Sequence, residues 1–161
     1  MKVAEDGTIP EHHPHCLGCG SANPAGMGLR MRLDGEIIRG DVTFDQRQQG
    51  APGIAHGGAV TTVLDDALGS LLVVLETPAV TANINVDFRA PALLHHPMSV
   101  EAWATGRDGR KLHLTARLLN EQAVVVAEAR ALFLAVDLEH FAQGGQGVPE
   151  AWNGWSTGGA D

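Results

Sequence analysis

The apolar residues of this chain repeat with two different periods, and the switch between them organises everything else. Between residues 57 and 75 they recur at helical spacing. At 100° per residue, Val60, Val63, Leu64, Ala67, Leu71, Val74 and Leu75 fall on one broad face. Thr62, Asp66 and Ser70 fall opposite, where solvent is expected. Thr61 and Asp65 lie on the border between the faces, in line with Gly58 and Gly69. After Pro78 the period becomes two. In "TANINVDFRA" (81–90), Ala82, Ile84, Val86 and Phe88 alternate with Thr81, Asn83, Asn85, Asp87 and Arg89, the pattern of a half-buried strand. Thr81 and Asn83 would then share its polar face. "MSVEAWATG" (98–106), "RKLHLTARLLN" (110–120) and "AVVVAEARALFLAV" (123–136) predict three more strands, joined at "RDGR" and "NEQ" as in an antiparallel meander. Upstream, "LRMRL" (29–33) and "IIRGDVTF" (37–44) predict a strand pair across "DGE", followed by a loop over 45–53.

The order β-β-α-β-β-β-β is an α+β pattern. One long helix cannot cover both faces of such a sheet. The antiparallel sheet is therefore expected to wrap around the helix and share its remaining edge or face with a second subunit. Residues 1–15 are polar and rich in His and Pro, and read as a flexible arm; 16–142 form the domain. Residues 143–161 are Gly-rich with Trp152 and Trp155, a tail expected to be mobile or to lean on a neighbour.

Composition narrows the function. With 161 residues, 44% of them hydrophobic, the chain has enough apolar material for one real core. No uninterrupted apolar run reaches the ~18 residues of a membrane span, and the N-terminal stretch has no apolar h-region. A cytoplasmic protein without a membrane partner is the expectation. A net charge of −8, no tyrosine and only 4% aromatic residues argue against a nucleic-acid partner.

The helix opens unusually. "GIAHGGAVTTVLDDALGSLL" (53–72) places a histidine and two glycines at the helix start, where each glycine costs about 1 kcal/mol against alanine. Glycines there let a second group approach unpaired backbone N–H donors, and a polarised carbonyl or oxyanion is such a group. Asp65, on the border of the apolar face, suits a nucleophile or a general base. His56 is either a base or a cap that orients the loop. "GRDGRK" (106–111) is a basic cluster in an acidic chain; Arg107, Arg110 and Lys111, together with Arg89, are candidates to hold phosphates. Cys16 and Cys19 follow His12, His13 and His15, which suggests zinc. A lone C-x-x-C lacks its second pair, however, and a free arm makes a poor cage. A turn packed against the core is expected, with no metal assigned.

"CLGCGSANPAGMGLRM", "GIAHGGAVTTVLDDALG" and "VTANINVDFRAPA", in that order, resemble the PaaI-type hotdog-fold acyl-CoA thioesterases, in particular the thioesterase superfamily member 4 branch. The resemblance covers about residues 16–137. It implies a hotdog fold, an antiparallel sheet wrapped around one long central helix, and hydrolysis of acyl-CoA to free acid and coenzyme A without a cofactor. It also implies a homodimer, or a homotetramer built from it, with active sites at the subunit interface. By position it puts the catalytic acid on Asp65, the HGG histidine on His56 and the helix-opening glycines on Gly57 and Gly58. Thr81 would align water from the partner subunit. Gln48 and Gln49 lie near the loop position where relatives place Asn or Gln. Asn83, Arg89, Arg107, Arg110 and Lys111 are the substrate-binding candidates. Two other readings keep the fold. A non-catalytic acyl-CoA-binding sensor would be expected to have lost Asp65. A dehydratase or hydratase uses a different pattern from HGG followed by Asp65.

Overall fold

The computed structural model describes residues 1–157. In chain order the strands and helices are β1 (Thr8–Ile9), β2 (Arg30–Asp34), β3 (Ile37–Thr43), α1 (Gly57–Val74), β4 (Ala79–Phe88), β5 (Pro97–Asp108), β6 (Lys111–Leu119), β7 (Val125–Ala135) and α2 (Glu139–Ala142). Short 3-10 turns cover Gln46–Gln48 and Glu150–Trp152. The seven strands form one sheet in the order β1-β2-β3-β5-β6-β7-β4, with every pair antiparallel. The predicted helix and six strands are present within a few residues of their expected bounds. Gly35 and Gly109, both at positive φ, make the β2–β3 and β5–β6 turns that the sequence signals.

The sheet curls around α1 because its inner face alternates bulk and small residues. On β6, Leu112, Leu114, Ala116 and Leu118 are buried, while Lys111 and His113 between them are exposed. Ala102, Ala116, Ala127 and Ala129 leave room for the helix to approach, and Val63, Leu64, Ala67 and Leu68 fill it, all with no exposed surface. Each such leucine stabilises the fold by about 1.5–3 kcal/mol. By mean hydropathy the segment Gly57–Leu75 is long and apolar enough to cross a membrane, although no unbroken run is; 56% of it is buried within the fold.

β4 is an edge strand and carries a bulge at Ala82. Thr81 pairs with Phe133 and Asn83 with Leu132, so one residue of β4 is skipped. Ile84 and Val86 are half-buried, and Phe88 at the strand's end is 56% exposed.

The helical wheel misplaced one face of α1. Asp66 and Ser70, assigned to solvent, are covered: the Asp66 side chain is 8% exposed and Ser70 is 3% exposed. The cover comes from the N-terminal segment, which sequence periodicity in the helix cannot reveal. In residues 1–15, read as a flexible arm, Thr8 and Ile9 pair with β2 and His12 packs on α1. At the other end, Trp155 is buried in the core of its own chain, stacks on Trp152 at 5.6 Å, and donates its indole N–H to the Met1 carbonyl. Residues 158–161 of the expected tail lie outside the described residues.

Candidate active site

The start of α1 is capped by a histidine. His56 Nδ1 accepts the Gly58 N–H at 2.8 Å, while the His56 N–H donates to the Gln48 carbonyl at 2.7 Å. The loop that delivers His56 is itself tied down. Gln48 Oε1 accepts from the Asp45 N–H and Gln49 Oε1 from the Gly53 N–H. An accepting Nδ1 leaves Nε2 as the protonated nitrogen of the neutral ring. His56 is thus committed as a cap. Of the two glycine N–H groups offered by the sequence, that of Gly58 is taken up by this cap. The Gly57 N–H has no hydrogen-bond partner among the described residues and sits at the positive end of the helix dipole. A Cβ on Gly57 would lie 3.4 Å from Phe88 Cζ, so the glycine keeps the approach to this donor narrow but passable.

Asp65, two turns further along α1, is half-exposed, and its Oδ1 accepts the Thr81 hydroxyl at 2.9 Å. The bulge at Ala82 makes this contact possible. Thr81 is paired with inward-facing Phe133 and so points toward the helix. Asn83 does not share that face: it is paired with Leu132 on the outer side, where its Oδ1 accepts from the Asn85 amide. Strict alternation had placed Thr81 and Asn83 together. Thr81 was also expected to arrive from a partner subunit, yet its hydroxyl reaches Asp65 of its own chain.

Asp65 and Thr81 stand at the edge of a cavity of about 330 Å³, lined further by Leu72, Phe133, Phe141 and Trp152. That is within the range of small-molecule sites. Three aromatic residues from beyond β7, Phe141, Trp152 and Trp155, line the cavity and were missed as cavity residues; the sequence signalled only the two tryptophans, as a pair in a glycine-rich tail.

The basic candidates separate into two places. Arg107 donates to the Gly109 and Thr157 carbonyls, and Arg110 to the Ala135 carbonyl. Lys111 is exposed and in register with Leu134, which pairs with Val80 next to Thr81. Two strand spacings, about 10 Å, separate that row's ends. Arg89 lies just past the far end of β4 and pairs with Asp87 and Glu128 at 3.9 and 3.7 Å.

On the wall of the same cavity, to which His12, Cys16 and Asp66 also contribute, these three side chains converge with Cys19. Cys16 Sγ contacts Asp66 Oδ1 at 3.1 Å, His12 Nδ1 lies 3.3 Å from that oxygen, and Cys19 Sγ lies 3.2 Å from His12 Nδ1. Burial disfavours charge on His12, but its hydrogen bonds to Asp66 and Cys16 outweigh that and push its pKa up to about 10. Hydrogen bonds from Cys19 and His12 hold the Cys16 thiol well below its ordinary value, while the bond to Cys16 and burial raise that of Cys19. Burial raises Asp66 above the usual carboxylate range against the opposing pull of His12. The C-x-x-C that lacked a second pair in the sequence finds its neighbours on the arm and on α1.

Comparisons with known proteins identify the family and the fold. The sequence profile described as "Thioesterase superfamily" matches residues 52–134, just over half the chain. Acyl-coenzyme A thioesterase THEM4 from Bos taurus is 35% identical over 92 residues, covering 56% of this chain and 38% of that protein. The Mus musculus protein of the same name is 34% identical over 92 residues, covering 56% of this chain and 40% of its own length. The chain thus spans about two fifths of the curated relatives it matches. Among solved structures, a thioesterase superfamily protein superposes with a TM-score of 0.72 at 25% identity, covering 75% of this chain and 60% of that one. A hypothetical thioesterase from Streptococcus pneumoniae, solved with coenzyme A, superposes with a TM-score of 0.63 at 14% identity, covering 67% and 85%. Profile, identity and superposition converge on one conclusion: the chain belongs to the thioesterase superfamily and has the hotdog fold.

Proposed function

We propose that this chain is an acyl-CoA thioesterase that splits an acyl-CoA thioester into free acid and coenzyme A, with Asp65 as its acid and Thr81 as the residue that orients it. The observation that carries the reading is the Asp65–Thr81 hydrogen bond at the edge of an apolar cavity. In the Streptococcus pneumoniae relative, an aspartate and a threonine have each been changed to alanine in solved variants, and they stand at the same sequence separation as Asp65 and Thr81.

Hydrolysis requires an attacking oxygen on one side of the thioester carbon and a donor for the carbonyl oxygen on the other. Asp65 either takes the proton of an attacking water or attacks the carbonyl itself, and Thr81 holds the carboxylate in place through its hydroxyl. The Gly57 N–H and the helix dipole stabilise the developing oxyanion, a contribution of about 3 kcal/mol for one such donor. Gly57 and Asp65 are eight residues apart on α1, which is about 12 Å at 1.5 Å per residue. A reacting carbon about 3 Å from both groups cannot lie between them within one chain. The reading therefore needs two copies, Gly57 from one protomer facing Asp65 and Thr81 from the other. The acyl group occupies the cavity beside Phe133 and Trp152, and Lys111 with its hairpin offers positive charge for the nucleotide end of coenzyme A.

The test is a hydrolysis screen over acyl-CoA chain lengths and aryl-CoAs, with free thiol as the readout, on the parent and on Asp65→Asn. Turnover by the parent that Asp65→Asn nearly abolishes is expected. Saturable acyl-CoA binding without turnover would replace the enzyme with a sensor. In single-turnover hydrolysis in H₂¹⁸O, label in the Asp65 carboxylate shows attack by Asp65, through an anhydride that water opens at the aspartyl carbon. Trapping of the acyl group on Asp65 detects the same intermediate when water opens it at the acyl carbon.

A further inference from the structure

The cluster that shares the cavity wall with Asp65 has a use that the thioesterase reading does not absorb. Its four ligand atoms, one each from His12, Cys16, Cys19 and Asp66, all lie within 4.8 Å of one another. Zinc bonds of about 2.3 Å to sulfur and about 2.0–2.1 Å to nitrogen or oxygen give tetrahedral edges of about 3.3–3.8 Å. The contacts of 3.1, 3.2 and 3.3 Å lie near that scale, and the wider pairs, within 4.8 Å, would close in on the ion. We propose that His12, Cys16, Cys19 and Asp66 form a closed tetrahedral zinc site that fastens the N-terminal segment to α1.

The loop is shaped for this purpose. Cys16 and Cys19 bracket Gly18, where a Cβ would fall 2.1 Å from Asp66 Cγ, so only glycine lets the loop close over that carboxylate. Gly20 follows directly, and a Cβ there would meet the Cys16 backbone nitrogen at 2.4 Å. The two glycines hold both sulfurs on the side facing α1. Cys19 Sγ also accepts the backbone N–H of His12 at 3.3 Å, which fixes the sulfur within the cluster. The His12 ring stacks on the Gly69 position: a Cβ on Gly69 would sit 3.4 Å from Cε1 and 3.5 Å from Nε2.

A purely hydrogen-bonded network explains these contacts incompletely. Asp66 Oδ2 and His12 Nε2 are both buried without a partner. An orphaned carboxylate oxygen inside a cluster of two thiols and an imidazole is costly unless a cation takes it up. The donor set selects the cation. Two soft sulfurs, one imidazole and one carboxylate suit zinc and disfavour magnesium or calcium, which prefer all-oxygen shells. Four protein ligands leave no position for water or substrate, so the site is structural. It stands beside the proposed catalytic aspartate, since Asp65 and Asp66 are neighbours on α1 and line the same cavity.

The test uses the untagged full chain, purified under reducing conditions without chelator. Elemental analysis is expected to find about one zinc per chain, or to reach that level after incubation with equimolar Zn²⁺ and desalting. The Cys16→Ser, Cys19→Ser double variant is expected to hold less than about a tenth of that amount, while His13→Ala, His15→Ala retains it. Replacement by Co²⁺ should give the intense visible bands of a tetrahedral ion and an ultraviolet thiolate-to-cobalt charge-transfer band. That spectrum is read on the parent, so it stands even if the cysteine variant fails to fold. A parent that takes up no zinc, a cobalt spectrum without thiolate bands, undiminished zinc in a folded double-cysteine variant, or a Cys16–Cys19 disulfide in protein prepared reduced would each overturn the proposal. None of these readouts involves thioester hydrolysis, so the site and the proposed activity stand or fall separately.

Discussion

Thr81→Val isolates the hydroxyl that holds Asp65. Valine has the shape of threonine and favours a strand, so the change removes one donor and leaves β4 otherwise intact. The bond is 2.9 Å long and its acceptor is a carboxylate. Hydrogen bonds to charged groups contribute about 1.5–3 kcal/mol, and each 1.36 kcal/mol is tenfold in rate, which brackets the loss at about 10- to 150-fold. Thr81 is exposed and Asp65 half-exposed in the single chain, so water competes for both and the lower end applies. A fall in kcat of about tenfold is expected, with KM within about twofold, because the hydroxyl acts on the reacting group and not on remote parts of the substrate. Thr81→Ser restores most of the rate. Thr81→Val added to Asp65→Asn costs little more, since the partner is already gone. The assay is steady-state thiol release with the best acyl-CoA from the screen, on variants matched for Tm. Parental kcat in a folded Thr81→Val enzyme, or a full tenfold loss on the Asp65→Asn background, would refute the assigned role.

Gly57→Val is expected to remove turnover while leaving Tm within a few degrees, because the added methyls block the only free N–H of the helix start and meet only Phe88; near-parental turnover in a stable variant would remove Gly57 from the oxyanion site. Asp66→Ala strips a buried acceptor from His12 and Cys16, so a loss of at least about 1–3 kcal/mol is expected, a Tm lower by about 2–12 °C for a chain of this size. Its residual turnover in the cold should exceed that of Asp65→Asn, and the reverse order would exchange the roles of the two aspartates. Gly69→Ala places its methyl in ordinary contact with the His12 ring and removes a weak helix former, so thermal melting should rise by about 1–3 °C, and a lower Tm would mean that the ring cannot yield.

The helix and six of the seven strands were legible because each buries one face, and burial imposes a period on the sequence. β1 was not, since two residues, Thr8 and Ile9, are too few to show any period. Asp65, the proposed acid, stood out as a charge at the border of an apolar face, and Gly57, the proposed donor, as part of a helix start made from poor helix formers. Asp66 was misread for a general reason. A helical wheel knows which side faces the sheet, but the opposite side belongs to solvent only if no remote segment covers it. Here the cover comes from residue 12 and residues 16–20, some fifty positions away. The gathering of His12, Cys16, Cys19 and Asp66 was invisible for the same reason. The cap by His56 was one of two sequence alternatives, and which glycine N–H it takes up, that of Gly58, depends on how the imidazole turns back onto the helix.

The bulge at Ala82 resolves a conflict of parity within β4. Ala79 and Thr81 are odd-numbered residues facing the helix, while Ile84, Val86 and Phe88, which face the same way, are even-numbered. A regular strand can present one set or the other but never both. One skipped residue shifts the phase, so a single strand offers a hydroxyl to the aspartate at one end and an apolar ridge at the other. Deleting Ala82 would keep every side chain named in the site yet force a choice between them: if Ile84 and Val86 keep their places, Thr81 turns outward and Asp65 loses its donor. The count of residues between Thr81 and Ile84 is therefore as much a part of the Asp65–Thr81 contact as the two residues themselves.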